Sequence, residues 1–319
     1  MSEYLINNSL IKEKSFHQSL NQNIEPRLQN LYQVQTINIP ENLPKINLIK
    51  NNLEEDRKNI GKLNDIAVNA EQYKNEILQK NFNELKQIFP LYRQIRGDGN
   101  SFYRAIGVAY IQNLIRIKSP QVEKQLQNLI NDLSNNKINN EQIDDIPQEF
   151  QTLYNNKKQI CQILLQGIHY LYVQNTSYEQ FQDAVYTLLN ENYEFDFALI
   201  IFMRTLTLQI LEDDEEDLQA FDFDGQYIKY YQEAQTYGKE AEGYSVQKLP
   251  KILNVEIVIH QVDKNDYSCP KDMSLNDKLF HVHLFFRPDH YDLCYFKEQE
   301  DHIKKNYYFN VGIKKNNST

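Results

Sequence analysis

The chain has 319 residues, 41% of them hydrophobic, so it is long enough for one substantial core with appendages. Its formal net charge of −10 argues against nucleic acid as the main partner, because phosphate binding requires a concentrated basic surface. The three cysteines form no CxxC pair, which indicates a reducing compartment and excludes a disulfide scaffold. Without a signal-peptide pattern at its start or an apolar run of about 20 residues, the sequence predicts an intracellular, cytoplasmic protein with no membrane span.

The first segment, residues 1–55, is rich in Asn and Gln and contains Pro26, Pro40 and Pro44. Such a composition buries too little apolar surface to form a core of its own. We interpret 1–55 as an N-terminal arm that is either disordered or extended along a partner. The apolar residues available for docking are Ile37, Ile39, Leu43, Ile46, Leu48 and Ile49.

Residues 53–86 carry mixed charges in a helical pattern. Their apolar stripe has helical spacing and predicts a helix that packs under the turn that follows. The stripe consists of Leu78, Phe82, Leu85 and Phe89.

Residues 97–101 read Gly-Asp-Gly-Asn-Ser, and they combine the features of a nucleophile turn. The two glycines flank the aspartate and allow a tight backbone with positive φ. Apolar spacing from Phe102 onward predicts a helix that starts at Ser101 and ends before Pro120. A nucleophile in the first turn of a helix feels the positive end of the dipole, and free N–H groups there can bind an oxyanion.

Helical periodicity dominates the middle of the chain, with a break expected near 190–196. The acidic run 212–217 lacks the spacing of a calcium loop and is interpreted as a solvated helix start. The predicted helices are 122–133, 150–174, 178–211 and 218–254.

Three strands are predicted in the last part of the chain, at 255–262, 281–286 and 291–297. Helices followed by such strands predict an α+β fold, a helical layer packed on a small, mostly antiparallel sheet. His260 is interpreted as structural. His281 and His283 share one strand face, but no third ligand is visible, so neither a metal site nor any cofactor is predicted.

The last two strands form a predicted hairpin with His290 at its mouth. His290 and Asp292 are two residues apart on the outgoing strand and therefore face the same side. A carboxylate on that face can hold the imidazole in one tautomer, which is the role of the third member of a Cys-His-Asp arrangement.

These two motifs together resemble the otubains, the branch of the OTU (ovarian tumour) cysteine proteases that cleave ubiquitin from proteins. The likeness covers roughly 62–298, and a domain is accordingly assigned to 56–298, followed by a tail over 299–319. The chain departs from the family at Ser101, where otubains have their nucleophilic Cys, and at Asp289, where they usually have Gly. The matching positions are Asp98, Gly99, Asn100, Phe102, Tyr103, Arg104 and Ala105 in the first motif and Arg287, Pro288, His290, Tyr291 and Asp292 in the second.

The resemblance implies a role for each residue of the site. His290 would be the general base and Asp292 its orienter, with Ser101 in the nucleophile position. The turn from Asp98 to Ser101, including Gly99 and Asn100 and preceded by Gly97, would form the oxyanion hole. The partners implied are ubiquitin or a ubiquitin-conjugating enzyme.

The serine at position 101 predicts a site that does not turn over. A thiol is readily deprotonated by an imidazole and a helix N-terminus, whereas a hydroxyl must lose its proton during the attack. Ser101 would then serve only as an N-cap-like residue of its helix. Two origins stay open, an encoded serine in a pseudoenzyme or a Cys-to-Ser variant of an active protease, and the departure at Asp289 favours the first.

Three functions therefore compete. The chain is an inactive otubain that regulates by binding, an otubain fold reused as a structural subunit, or an active deubiquitinase represented by a Ser variant. In the second case, residues 1–55 and 299–319 would tether the domain to a large cytoskeletal or other assembly.

Overall fold

A computed structural model describes residues 37–40, 42–49, 58–68, 76–137, 143–213, 226–241, 243–261, 278–287 and 290–296. The tail 299–319, the departure at Asp289 and the acidic residues 214–217 lie outside these ranges. The described residues from Asn38 onward belong to one compact unit.

A five-stranded sheet forms one layer of the protein, in the order β1-β2-β5-β4-β3. Neighbouring strands pair antiparallel except β3 and β4, which are parallel. The α+β, mostly antiparallel prediction is therefore confirmed. The strands are β1 (Ile60–Asp65), β2 (Leu91–Ile95), β3 (Glu256–Gln261), β4 (His281–Arg287) and β5 (His290–Tyr295).

Helices account for most of the remaining described chain, and none of those described is long and apolar enough to cross a membrane. They are α1 (Glu76–Ile88), α2 (Ser101–Arg116), α3 (Pro120–Ser134), α4 (Gln151–Tyr154), α5 (Lys157–Val173), α6 (Tyr178–Glu191), α7 (Tyr193–Asp213), α8 (Gln226–Gln235) and α9 (Gly243–Leu253), with a 3₁₀ turn at Gln148–Phe150.

Helix α2 runs through the centre of the core. It packs against β5 on one side and α7 on the other, and almost all of its side chains are buried. Because the nucleophile position is its first residue, the site is anchored to the most buried helix of the described fold. Helix α7 begins where Asn192 Oδ1 accepts from the Phe195 N–H at 2.6 Å, and this cap produces the predicted break near 190–196.

Two strands were not predicted. Residues 53–86 read as helical, yet Ile60–Asp65 forms β1, and β2 was missed entirely. Strand β1 lies at the edge of the sheet and is largely exposed, so its sequence carries little of the apolar alternation that identifies a strand. The stripe of α1 is real, but it packs against Tyr92, Phe285 and Cys294 on the sheet rather than under the turn.

The helical segment predicted over 218–254 is interrupted. Helices α8 and α9 are separated by residues 236–242, and this break contains Glu240. The acidic run was expected to start a helix, whereas Glu212 and Asp213 end α7.

The described part of the arm contacts the domain at three points. Gln127 on α3 accepts from the Asn38 N–H at 2.8 Å and donates to the Asn38 carbonyl at 3.2 Å. Further along, Asn192 donates to the Asn47 carbonyl and Ile49 N–H donates to the Glu191 carbonyl. Binding of a partner by the arm stays a prediction.

Candidate active site

The nucleophile turn connects the end of β2 to the start of α2. Gly99 has φ +76°, the left-handed conformation that the glycine pattern predicts. A Cβ added there would lie 1.6 Å from the carbonyl oxygen of Gly238, so the turn touches the backbone of the loop between α8 and α9. We call residues 236–241 the Glu240 loop.

The Asp98 side chain faces Arg104. Its two oxygens accept from Arg104 Nη1 at 2.9 Å and Nη2 at 2.8 Å, and Oδ1 also accepts from the Asn100 N–H. The same guanidinium donates to both oxygens of Asp196 on α7, at 2.8 and 3.0 Å. Arg104 is buried, and it therefore clamps the turn to α7 through two carboxylates.

Burial raises the pKa of Asp98, but the hydrogen bonds and charge of Arg104 outweigh it and leave that pKa below its ordinary value. For Asp196, which is more deeply buried, desolvation prevails over Arg104 and the pKa is raised. The carboxylate of Asp98 thus serves to hold the turn in shape. Whether the backbone of Gly97, Asp98, Gly99 and Asn100 binds an oxyanion stays a prediction.

Ser101 is the first residue of α2, and its side chain is fully buried. Its Oγ accepts from the Tyr291 N–H at 3.2 Å and donates to Glu240 Oε2 at 3.3 Å. Asn100 occupies the N-cap position and makes no side-chain capping bond. The N-cap interpretation of Ser101 is therefore wrong, because its hydroxyl joins the sheet to the Glu240 loop instead of capping the helix.

His290 and Asp292 face the same side of β5, as their spacing predicts. His290 Nε2 lies 2.8 Å from Asp292 Oδ1, which also accepts from the N–H of Ile95 at 2.8 Å. Asp292 is completely buried, so it ties the imidazole to the end of β2. The other ring nitrogen, Nδ1, would lie 3.3 Å from a Cβ on Gly97, so a side chain at this position would press on the imidazole.

Ser101 is bonded to the residue that follows His290 in β5, but its hydroxyl and the imidazole are not hydrogen-bonded to one another within the described ranges. Among the residues that the structure describes, Glu240 is the one charged group hydrogen-bonded to this hydroxyl. Burial raises the pKa of Glu240, and the Ser101 bond and the charge of His290 reduce this shift without cancelling it. A carboxylate thus stands beside the nucleophile position.

Three residues of the site, Glu240, Arg204 and Asp196, were not predicted from the sequence. A signal for the first existed, since Gly238 is one of only nine glycines and marks a break in a helical stretch. Arg204 and Asp196 carried no local signal, because they lie on α7 far from the turn in sequence. Across the described residues, no group of three or more His, Cys, Asp or Glu side chains is placed to hold a metal ion.

Comparison with known sequences identifies this arrangement. The sequence model of the Peptidase C65 Otubain family matches residues 52–296 of the chain. The chain belongs to the otubain family. Among curated otubains, the ubiquitin thioesterase otubain-like protein of Caenorhabditis elegans is 25% identical over 229 residues, covering 68% of this chain and 73% of the relative. Human ubiquitin thioesterase OTUB1 is 24% identical over 230 residues, covering 69% and 75%.

Solved otubain structures share the fold. The ceOTUB1 complex with ubiquitin aldehyde and UBC13~Ub superposes with a TM-score of 0.57 at 24% identity, over 76% of this chain and 96% of that one. The h/ceOTUB1 complex with ubiquitin aldehyde and UBCH5B~Ub gives a TM-score of 0.54 at 22% identity, over 76% and 91%.

Proposed function

We propose that this otubain is a pseudo-deubiquitinase, which binds ubiquitin or a ubiquitin-conjugating enzyme and does not cleave ubiquitin conjugates. The observation that carries the proposal is the hydroxyl of Ser101, which is buried and bonded to Glu240 and to the Tyr291 N–H. The residue at the nucleophile position is thereby occupied in holding two elements together.

The chemistry of the hydroxyl supports this interpretation. A free thiol has a pKa of about 8.5, and a neighbouring imidazolium lowers it until a thiolate is present at rest. A serine must instead transfer its proton to a base in the transition state, within a site built for that transfer. His290 is bonded to Asp292 but not to Ser101, so the described arrangement lacks that connection.

Binding is expected to survive because the frame around position 101 is intact. Arg104 still clamps Asp98 to Asp196, and Asp292 still holds His290 against β2. The solved otubains with this fold were captured with ubiquitin aldehyde and with UBC13 or UBCH5B carrying ubiquitin. We infer the same class of partner here.

The same intact frame favours a second candidate, an active cysteine deubiquitinase that is represented here by its Cys-to-Ser variant. The two candidates differ in the codon at position 101. They agree that the Ser101→Cys protein should be reactive, so reading that codon decides between them.

The experiment uses ubiquitin with a C-terminal alkyne, which forms a stable bond with an active-site cysteine. The Ser101 chain and the Ser101→Cys, Ser101→Ala and Ser101→Cys/His290→Gln variants are incubated with the probe and with ubiquitin chains. Binding of free ubiquitin and of a ubiquitin-charged conjugating enzyme is measured by calorimetry. We expect no labelling of the Ser101 chain or of Ser101→Ala, labelling and weak cleavage for Ser101→Cys, and loss of both in the double variant.

Two results would contradict the proposal. Cleavage of ubiquitin chains by the Ser101 protein, absent from Ser101→Ala, would show a working serine nucleophile. An inert Ser101→Cys protein that also fails to bind either partner would indicate a fold reused as a structural subunit of an assembly.

A further inference from the structure

Arg204 lies on α7, and its guanidinium is completely buried under the nucleophile turn. Its five N–H groups make six hydrogen-bond contacts, because Nη2 has three acceptors for two hydrogens, and every acceptor is a neutral oxygen. They run from Nε to Asn100 Oδ1 (3.1 Å), from Nη1 to the carbonyls of Glu233 (3.0 Å) and Ala234 (3.1 Å), and from Nη2 to Asn100 Oδ1 (2.8 Å) and the carbonyls of Gly99 (3.2 Å) and Lys239 (2.6 Å).

The acceptors belong to two elements that are far apart in sequence. Gly99 and Asn100 form the nucleophile turn, immediately before Ser101. Glu233 and Ala234 end α8, and Lys239 immediately precedes Glu240. Arg204 is therefore bonded to the residue before Ser101 and to the residue before Glu240, the two partners of the hydrogen bond in the site.

Direct contact between the turn and the loop supports the same connection. Gly238 N–H donates to Asn100 Oδ1 at 3.1 Å, so that oxygen receives donors from both Arg204 and the loop. The backbone of Gly99 is packed against the carbonyl of Gly238. The turn and the loop meet above Arg204, and the side chain of Asn100 lies between them.

Burial of the Arg204 guanidinium carries an unfavourable desolvation free energy. None of its five acceptor atoms carries a charge. The guanidinium also lies over the ring of Tyr103, with Cζ 4.1 Å from the ring centroid. Desolvation lowers the pKa of Arg204 below its ordinary value. A buried charge without an ion-pair partner costs stability unless its hydrogen bonds are all satisfied, and a lysine with three donors cannot reproduce a planar fork.

We propose that Arg204 is a positioning residue of this active site, which holds the nucleophile turn and the Glu240 loop together and so sets the placement of Glu240 on residue 101. It acts through Asn100 and the loop carbonyls and does not touch the reacting atom itself. Of the two measurements below, only labelling by ubiquitin rests on the proposed function. The contacts of Arg204 exist whether or not the protein binds ubiquitin.

The test is made in the Ser101→Cys protein, where residue 101 can be followed by its thiol. Arg204→Lys keeps the charge and loses the fork, and Arg204→Met removes both. The rate at which iodoacetamide alkylates the thiol at position 101 is measured by mass spectrometry across pH 5–9, beside labelling by alkyne ubiquitin. Leu126→Ala, a buried position on α3, serves as a destabilised control away from the site.

We expect the two readouts to move in opposite directions. Release of the Glu240 loop should raise alkylation of the thiol at position 101 about fivefold or more, with its pH profile shifted toward lower pH. Loss of turn geometry should slow ubiquitin labelling by about tenfold or more, in line with the cost of misplacing a reacting group. Arg204→Lys should resemble Arg204→Met more than the parent, and Leu126→Ala should alter neither rate.

Equal alkylation rates and pH profiles in the parent and both Arg204 variants would overturn the proposal and leave Arg204 a purely structural residue. If the variants do not fold, Asn100→Ala removes the shared acceptor and keeps the charge. It should shift both rates in the same directions by a smaller factor, and unchanged rates would overturn the proposal equally. A Ser101→Cys parent that is neither labelled nor able to bind ubiquitin or a charged conjugating enzyme would count against the proposed function, while the alkylation comparison would still decide the role of Arg204.

Discussion

Glu240 Oε2 lies 3.3 Å from Ser101 Oγ, although the two residues are 139 positions apart. The carboxylate comes from the loop between α8 and α9 and takes up the donor capacity of the hydroxyl. A substrate carbonyl would have to reach the same oxygen. We therefore expect the position of the Glu240 loop to control how accessible residue 101 is.

Removing Glu240 should expose residue 101 and alter its chemistry. In the Ser101→Cys background, we expect Glu240→Ala to speed alkylation of the thiol at position 101 several-fold. The pKa of that thiol should also fall, because the carboxylate of Glu240 is a nearby negative charge that disfavours the thiolate. Glu240→Gln keeps the volume and removes the charge, so it should lower that pKa with less gain in access. Alkylation rate against pH measures both effects, and identical profiles for all three proteins would refute the prediction.

Breaking the Arg104 clamp should destabilise the whole domain. Arg104→Met removes the hydrogen-bonded counter-charge that the largely buried carboxylates of Asp98 and Asp196 share, and we expect a loss of about 3–5 kcal/mol in the free energy of unfolding. Asp98 keeps a longer ion pair, 3.6 Å, with the more exposed Arg96. Lys86→Met is the matched control, because its ion pair with Asp65 is exposed and should contribute less than about 1 kcal/mol. Urea denaturation measures both values, and similar losses would show that burial of the clamp is unimportant.

Gly99→Ala should be far more damaging than Gly61→Ala. At Gly99 a methyl group would meet a backbone carbonyl at 1.6 Å, in a positive-φ conformation that costs about 1 kcal/mol for alanine before any clash. At Gly61 the nearest atom would be the Cβ of Gln94 at 3.3 Å, which asks for a shift of only a few tenths of an ångström, and φ is not in the left-handed region. We expect a drop in melting temperature and loss of ubiquitin binding for Gly99→Ala only. Two variants of equal stability would mean that the turn and loop do not touch.

The free energy of unfolding should decrease as the pH is lowered from 6.5 toward 4, the range in which burial keeps His260 unprotonated. His260 is fully buried against His283 and the ring of Phe89, and desolvation lowers its pKa to about 4 from an ordinary value of 6.5. The unfolded chain therefore binds a proton that the folded chain excludes, and stability is lost as pH falls from 6.5 toward 4. At pH 5 this amounts to about 2 kcal/mol.

His260→Gln tests that cause, because glutamine is neutral throughout this range. The slope of unfolding free energy against pH between 7 and 5 should be smaller in the variant than in the parent. Carboxylates contribute to both proteins equally, so the difference isolates the imidazole. Parallel slopes would assign the acid sensitivity to other groups.

Gln127 should hold the arm to the domain with little effect on global stability. Gln127→Ala removes both hydrogen bonds to Asn38, which are exposed, and we expect a change below about 1 kcal/mol in the free energy of unfolding. Limited proteolysis should nevertheless cut within 38–49 faster in the variant. Gln125→Ala, which contacts Tyr110 instead, is the control on the same helix. An unchanged cleavage rate would mean that the other contacts suffice.

Local patterns in the sequence were sufficient for the central elements of the site. The Gly-Asp-Gly-Asn-Ser run favours a tight turn, and the structure has Gly99 at positive φ followed by the apolar helix α2. The alternation of β5 likewise places His290 and Asp292 on one face, and the structure brings their side chains within 2.8 Å. The α+β fold class came from the same kind of local signal.

Edge strand β1 and the Glu240 loop could not be predicted from local sequence patterns. β1 is mostly exposed, so burial imposes little pattern on its residues, and it was read as helix. The break that carries Glu240 interrupts a stretch whose helical spacing resumes afterward, and its local marks were two glycines, Gly238 and Gly243.

The sequence by itself determined which residues could form a nucleophile turn and a histidine–carboxylate pair, because each is a matter of neighbours along the chain. Tertiary structure alone decided what the hydroxyl of Ser101 is bonded to. Glu240, Arg204 and Asp196 reach the turn from α7 and the Glu240 loop, across more than 90 residues. Such contacts arise from the packing of whole helices around α2, and no local periodicity of apolar residues in the sequence indicates them.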